Sequence, residues 1–185
     1  MHIPPFDNDN KPIIDIENNI VPNIYFNIVK LSKNEEFSIC LKDYEICIVP
    51  ATGTIEVNIG GKTFENVGNR ITDVWDGEPE CVYIPCNQKS LIKCVSKNCE
   101  LFIAGAKYDK ILEPFVVRSD DIDLIQYGSD DTKTHRKIKH LLGQKQSNLV
   151  GRLLVSELFT VGAGGWSGFP SHKHDTDRLP LETKH

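Results

Sequence analysis

The stretch Thr54-Ile-Glu-Val-Asn-Ile59, Gly60-Gly61, Lys62-Thr-Phe-Glu-Asn-Val67 limits the possible folds of this chain more than any other. Ile55, Val57 and Ile59 alternate with polar residues, which is the period of a strand with one buried face. Glycine has no Cβ to clash at positive φ, so a Gly-Gly pair suits both central positions of a two-residue hairpin turn. The stretch reads as a β-hairpin, and its neighbours repeat the theme. Apolar, β-rich runs at residues 81–85, 90–95 and 100–106 are separated by Pro, Asn, Lys or Gly. No long helical period interrupts the sequence between residues 24 and 107, so this half is expected to be an all-β sandwich or barrel.

Past this half the character changes. Residues 116–146 carry an acidic group (Asp120, Asp121, Asp123, Asp130, Asp131) followed by a basic one (Lys133, His135, Arg136, Lys137, Lys139, His140). They read as a connector with a solvated charged face. Ile138, Leu141 and Leu142 allow either a short helix over residues 136–142 or an extended strand. A second β unit is expected from Leu149, through Val161, into the run Gly-Ala-Gly-Gly-Trp166-Ser-Gly-Phe-Pro-Ser-His172-Lys-His174-Asp. The glycines form a turn rather than a phosphate loop, since no GKS or GKT ending and no helix follow. The expected organisation is an N-terminal barrel over residues 1–115, a connector over 116–148, and the start of a second barrel over 149–185. Two or three strands leave open edges and half a core. Either the chain is truncated, or these strands pair with the first barrel or with another subunit, so a homo-oligomer is among the expected states.

His172 and His174 are the clearest chemical signal. Two histidines two residues apart on a strand point to the same side, where their ring nitrogens can converge on one metal ion. Lys173 between them points the other way. Imidazole suits several transition metals, and an open catalytic site has three or four protein ligands. Glu182, Asp175 and Asp177 are the only nearby carboxylates, and between Ile3 and Thr134 there is no histidine at all. The six cysteines make no CxxC pair and sit in apolar runs, so they are expected to be buried free thiols. A net charge of −5 argues against a nucleic-acid partner. No apolar run reaches the roughly 18 residues of a membrane span, and no basic-then-apolar leader opens the chain. The expected location is cytoplasmic, with no membrane partner.

The run Arg152-Leu-Leu-Val-Ser-Glu-Leu-Phe-Thr-Val-Gly-Ala-Gly-Gly-Trp-Ser-Gly-Phe-Pro-Ser-His-Lys-His-Asp-Thr-Asp-Arg-Leu-Pro180 closely resembles the 5-deoxy-glucuronate isomerase family of myo-inositol catabolism. Upstream, Gly68-Asn-Arg-Ile-Thr-Asp-Val-Trp-Asp-Gly77 and Val82-Tyr-Ile-Pro85 resemble the glycine-arginine stretch, aromatic-Asp-Gly turn and Tyr-x-Pro strand of that family's first barrel. The resemblance implies a bicupin: two cupin-type jelly-rolls (double-stranded β-helices) in one chain, the second incomplete here. It implies that His172 and His174 are the first two ligands of a divalent metal (Zn, Mn or Fe). The third and fourth ligands, a glutamate opening the next strand and a later histidine, would lie beyond His185, and Glu182 falls in the loop region. The implied substrate is a small sugar acid, isomerised from aldose to ketose: 5-deoxy-glucuronate to 2-deoxy-5-keto-gluconate. A metal would polarise the carbonyl while an unidentified base moves a proton between neighbouring carbons. Arg136 and Arg152 are available to a substrate carboxylate, although each also reads as structural. Two alternatives remain open: the ketol-isomerase acting on 4-deoxy-5-keto-uronate, and a non-catalytic cupin module that binds sugar or forms an interface.

Overall fold

The computed structural model describes residues 8–17, 20–166 and 176–181. Among the described residues twelve strands follow one another, with two single-turn 3-10 helices between them. They are β1 (Ile24–Ser32), β2 (Glu36–Ile39), β3 (Tyr44–Thr52), β4 (Ile55–Ile59), β5 (Lys62–Val67), β6 (Cys81–Ile84), β7 (Ser90–Cys94), β8 (Asn98–Lys107), β9 (Phe115–Val117), β10 (Asp123–Tyr127), β11 (Arg136–Leu142) and β12 (Val155–Thr160). The expected hairpin is β4 and β5, joined in register Ile59 to Lys62, with Gly60 at φ +57° and Gly61 at φ +90°.

Three antiparallel sheets form: β1-β8-β3-β6-β9, β2-β7-β4-β5, and β10-β11-β12. The first two face each other across a core that includes Val29, Ile46, Ile48, Ile55, Val57, Ile92, Leu101 and Ile103. This is the cupin-type jelly roll, with strand neighbours far apart in sequence and both inner faces apolar. β3 differs from the other long strands in being buried along nearly its whole length, through Ala51. Its even-numbered residues Ile46 and Ile48 face the barrel core, while Cys47 and Val49 enter a second cluster on the outside of the same sheet. Leu141 and Leu142 of β11, both fully buried, complete that outer cluster with Cys81, Tyr83 and Val117. Each leucine contributes about 1.5–3 kcal/mol through the surface it removes from water. The three-stranded sheet is thereby glued to the back of the barrel.

Several expectations meet this architecture directly. Residues 136–142 are extended, because β11 is the middle strand and pairs along its length with β10 and β12. The segment 116–148, expected to be a connector, holds the end of β9, which pairs with β6, and all of β10 and β11. The second β unit is expected from Leu149. Residues 149–154 lie outside any strand, and β12 begins at Val155. Five of the six cysteines are buried and all six are free, while Cys40 is exposed. Among the described residues no helix is long and apolar enough to cross a membrane.

Candidate functional site

β12 leads into the segment carrying His172 and His174, so the groups that hold β12 matter first. Glu45, on β3 and fully buried, reaches the residues just before β12. Its Oε1 accepts from the backbone N–H of Arg152 at 2.5 Å and of Leu153 at 2.9 Å. Its Oε2 accepts from the N–H of Gly151 at 2.8 Å and from the Tyr83 hydroxyl at 2.7 Å. Three successive amides converging on one carboxylate form an anion nest. Their donors are satisfied by a side chain of the barrel, which is why the apolar run 149–154 does not continue as a strand. Burial, reinforced by the Glu45 hydrogen bond and charge, raises the Tyr83 hydroxyl pKa well above its usual range.

A second fastening lies two residues into β12. Arg70, 2% exposed, donates from Nη1 and Nη2 to the two carboxylate oxygens of Glu157, both at 2.7 Å. This is the fork-to-fork geometry in which Arg and a carboxylate bind best. Arg70 also donates from Nε to the Gly77 carbonyl at 3.0 Å, which ties it to its own loop. Residues 69–77 are stitched by Asp76, whose Oδ2 accepts from the Thr72 N–H and hydroxyl, and these bonds lower its pKa. The turn sets the Trp75 ring edge-on to Phe159 of β12, with centroids 4.9 Å apart at 62°. A second buried carboxylate, Glu80, accepts from the Gly68 N–H at 2.8 Å and from Arg118 at 3.0 Å, and so joins the hairpin to the end of β9. Gly68 has φ +96°, and a Cβ there would stand 2.5 Å from the Gly53 carbonyl oxygen, so only glycine fits.

His172, His174 and Glu182 lie outside the described residues, as do Lys173, Asp175 and Phe169. The expected turn at residues 162–165 is present, with Gly162 at φ +81° and Gly164 at φ +73°. Trp166 is 52% exposed. Asp177 is exposed. Of the two candidate arginines, Arg136 stands at the start of β11, and Arg152 gives its backbone N–H to Glu45 while its side chain lines a groove beside β1 and β8. Among the described residues no three His, Cys, Asp or Glu side chains cluster as a metal site. His135 lies between Asp130 and Gln126, and His140 bonds Ser156 at 2.7 Å.

Glu45, Arg70 and Glu157 were not singled out in the sequence. Glu45 offered a signal: a lone carboxylate inside Tyr44-Glu-Ile-Cys-Ile-Val-Pro-Ala51, an otherwise apolar strand. A charge in such a place must have partners.

A pair of facing sheets, with a third sheet fastened behind it by the buried Glu45 carboxylate and the Arg70–Glu157 ion pair, defines a protein of the cupin class. A crystal structure of an IolB-like protein from Salmonella typhimurium LT2 superimposes with a TM-score of 0.81 over 94% of this chain and 63% of that one, at 24% identity. The KduI/IolB family model matches residues 2–185, and the chain belongs to that family. The 5-deoxy-glucuronate isomerase of Bacillus subtilis strain 168 is 32% identical over 161 residues, which cover 86% of this chain and 57% of that protein. The enzyme of the same name from Shouchella clausii is 30% identical over the same share of each. The chain thus spans under two-thirds of the length of the curated relatives it matches.

Proposed function

We propose that this protein acts in sugar-acid isomerisation, converting 5-deoxy-glucuronate to 2-deoxy-5-keto-gluconate in the cytoplasm as a step of inositol breakdown. The observation that carries the reading is the pairing of a family match over residues 2–185 with an HxH motif immediately downstream of the clamped strand β12. Residues 1–115 are the barrel without metal ligands, and residues 149–185 carry His172 and His174. Those two imidazoles would hold a divalent metal (Zn, Mn or Fe). When bound, the metal supplies Lewis-acid polarisation of a carbonyl.

The reaction is redox-neutral overall: a proton leaves the hydroxyl-bearing carbon and one is returned to the former aldehyde carbon. The chain's described residues contribute position. Glu45 fixes residues 151–153 and Arg70 fixes Glu157, so β12 enters the glycine turn from a defined place on the barrel.

The test is turnover of 5-deoxy-glucuronate by this chain supplied with Mn, Zn or Fe, compared with His172→Ala and His174→Ala. Ketose formation that depends on metal and on both histidines is the expected result. Ketose formation unchanged by both substitutions, or absent while metal binds stoichiometrically, refutes the reading and leaves a non-catalytic sugar-binding module.

A further inference from the structure

Lys137 and Lys139 of β11 stand opposite Phe159 and Glu157 of β12, on the face turned toward the 69–77 loop. Lys139 is neutralised there: its ammonium is 2.8 Å from Glu78 and 4.7 Å from the centre of the Phe159 ring. Lys137 has no such partner among the described residues, although it lines the same recess. That recess is a cleft of about 410 Å³ between the loop and the third sheet, within the usual size of small-ligand sites. Trp75 and Phe159 line it as an edge-to-face aromatic pair, and Trp75 is 72% exposed. Val74, Gly77, Glu78 and residues 160–162 also line it.

We infer that this cleft binds a monocarboxylated sugar, of hexuronate type, as a site separate from His172 and His174. Among the described residues Lys137 is the one ammonium of the cleft without a counter-charge, and a single carboxylate matches it. The exposed face of Trp75 offers an apolar surface against the C–H side of a pyranose ring. Glu78, half-exposed beside Lys139, accepts from sugar hydroxyls. A phosphate dianion fits less well, because it would meet a single free ammonium and the Glu78 carboxylate together. Every residue invoked belongs to the described fold, and none is a proposed metal ligand.

D-Glucuronate is the probe and Trp75 the reporter, read by fluorescence in a Trp166→Phe background that leaves one tryptophan of the two. Expected is a saturable change with D-glucuronate, and about tenfold weaker binding of neutral D-glucose. Lys137→Met should weaken glucuronate by a similar factor with an unchanged circular dichroism spectrum, and Lys137→Arg should retain it. Binding should survive EDTA and His172→Ala, which separates this cleft from the proposed isomerase site. No saturable change, equal binding of glucose, indifference to Lys137→Met, or loss with His172→Ala each overturns the assignment.

Discussion

Removing the Glu45 carboxylate should destabilise the protein by an amount that can be counted from its contacts. Four donors converge on it: the amides of Gly151, Arg152 and Leu153 and the Tyr83 hydroxyl. A buried donor left without a partner costs about 1–3 kcal/mol, and in Glu45→Ala four are stranded. At the lower end of that range the loss is about 4 kcal/mol, a large share of the 5–15 kcal/mol by which a domain is stable. Glu45→Gln divides the effect. Each oxygen accepts two of the four bonds, and the new NH2 group can replace one oxygen but cannot accept, so two donors lose their partner and about 2 kcal/mol goes. Tyr83→Phe removes one donor and leaves the anion three, and should cost about 1 kcal/mol. Urea unfolding followed by circular dichroism measures all three, with the slope m checked for constancy. The order expected is Ala worse than Gln, and Gln worse than Tyr83→Phe. A Glu45→Gln protein within about 0.5 kcal/mol of the parent would show that the amides are satisfied by water and that the carboxylate does not hold them.

Arg70→Met should cost about 3–5 kcal/mol, because it leaves Glu157 facing the barrel without its fork, and adding Glu157→Met should recover part of the loss; urea midpoints of the single and double variants decide this, and a double variant no better than Arg70→Met refutes it. Native protein should react with a small alkylating reagent at one thiol of six, Cys40, and at all six in denaturant; mass spectrometry of intact protein gives the count, and several modified thiols in the native state would mean that the cores open readily. Burial, with the neighbouring Cys94, pushes the Cys99 thiol from 9.0 up to about 12. Its contribution to stability is present below pH 9.0 and falls as the pH rises toward about 12, since the unfolded thiol loses its proton first. Cys99→Ala should flatten the alkaline side of a stability profile measured by thermal unfolding, and an unchanged profile would rule the thiol out as its cause.

What the residues disclosed in advance follows how local each determinant is. The β4–β5 hairpin was legible because its turn needs two adjacent glycines and its faces alternate within six residues. β6, β7 and β8 were legible as apolar runs between breakers. Residues 136–142 left helix and strand open because Ile138, Leu141 and Leu142 satisfy either period, and only pairing with β10 and β12 decides between them. Leu149 to Leu154 looked like the start of a strand because apolar content says nothing about where the amides bond. The histidine pair could be read as chemistry from its spacing, and His172 and His174 lie outside the described residues. The cleft beside Lys137 was hidden, since Trp75 and Phe159 stand 84 positions apart in the sequence and meet where the Arg70–Glu157 fork and the Lys139–Glu78 pair hold the loop against the third sheet.

The anion nest on Glu45 also bears on the order in which this chain assembles. Its three amides lie 106 to 108 positions away along the sequence, so the contact closes a very long loop. Such closure cannot precede the barrel, because Glu45 occupies its place only when β3 is paired on both sides. The third sheet therefore docks late and can detach first, as a separate cooperative unit. Amide hydrogens of residues 151–153 would then exchange with solvent at the rate of undocking, while those of β3 wait for the barrel to open.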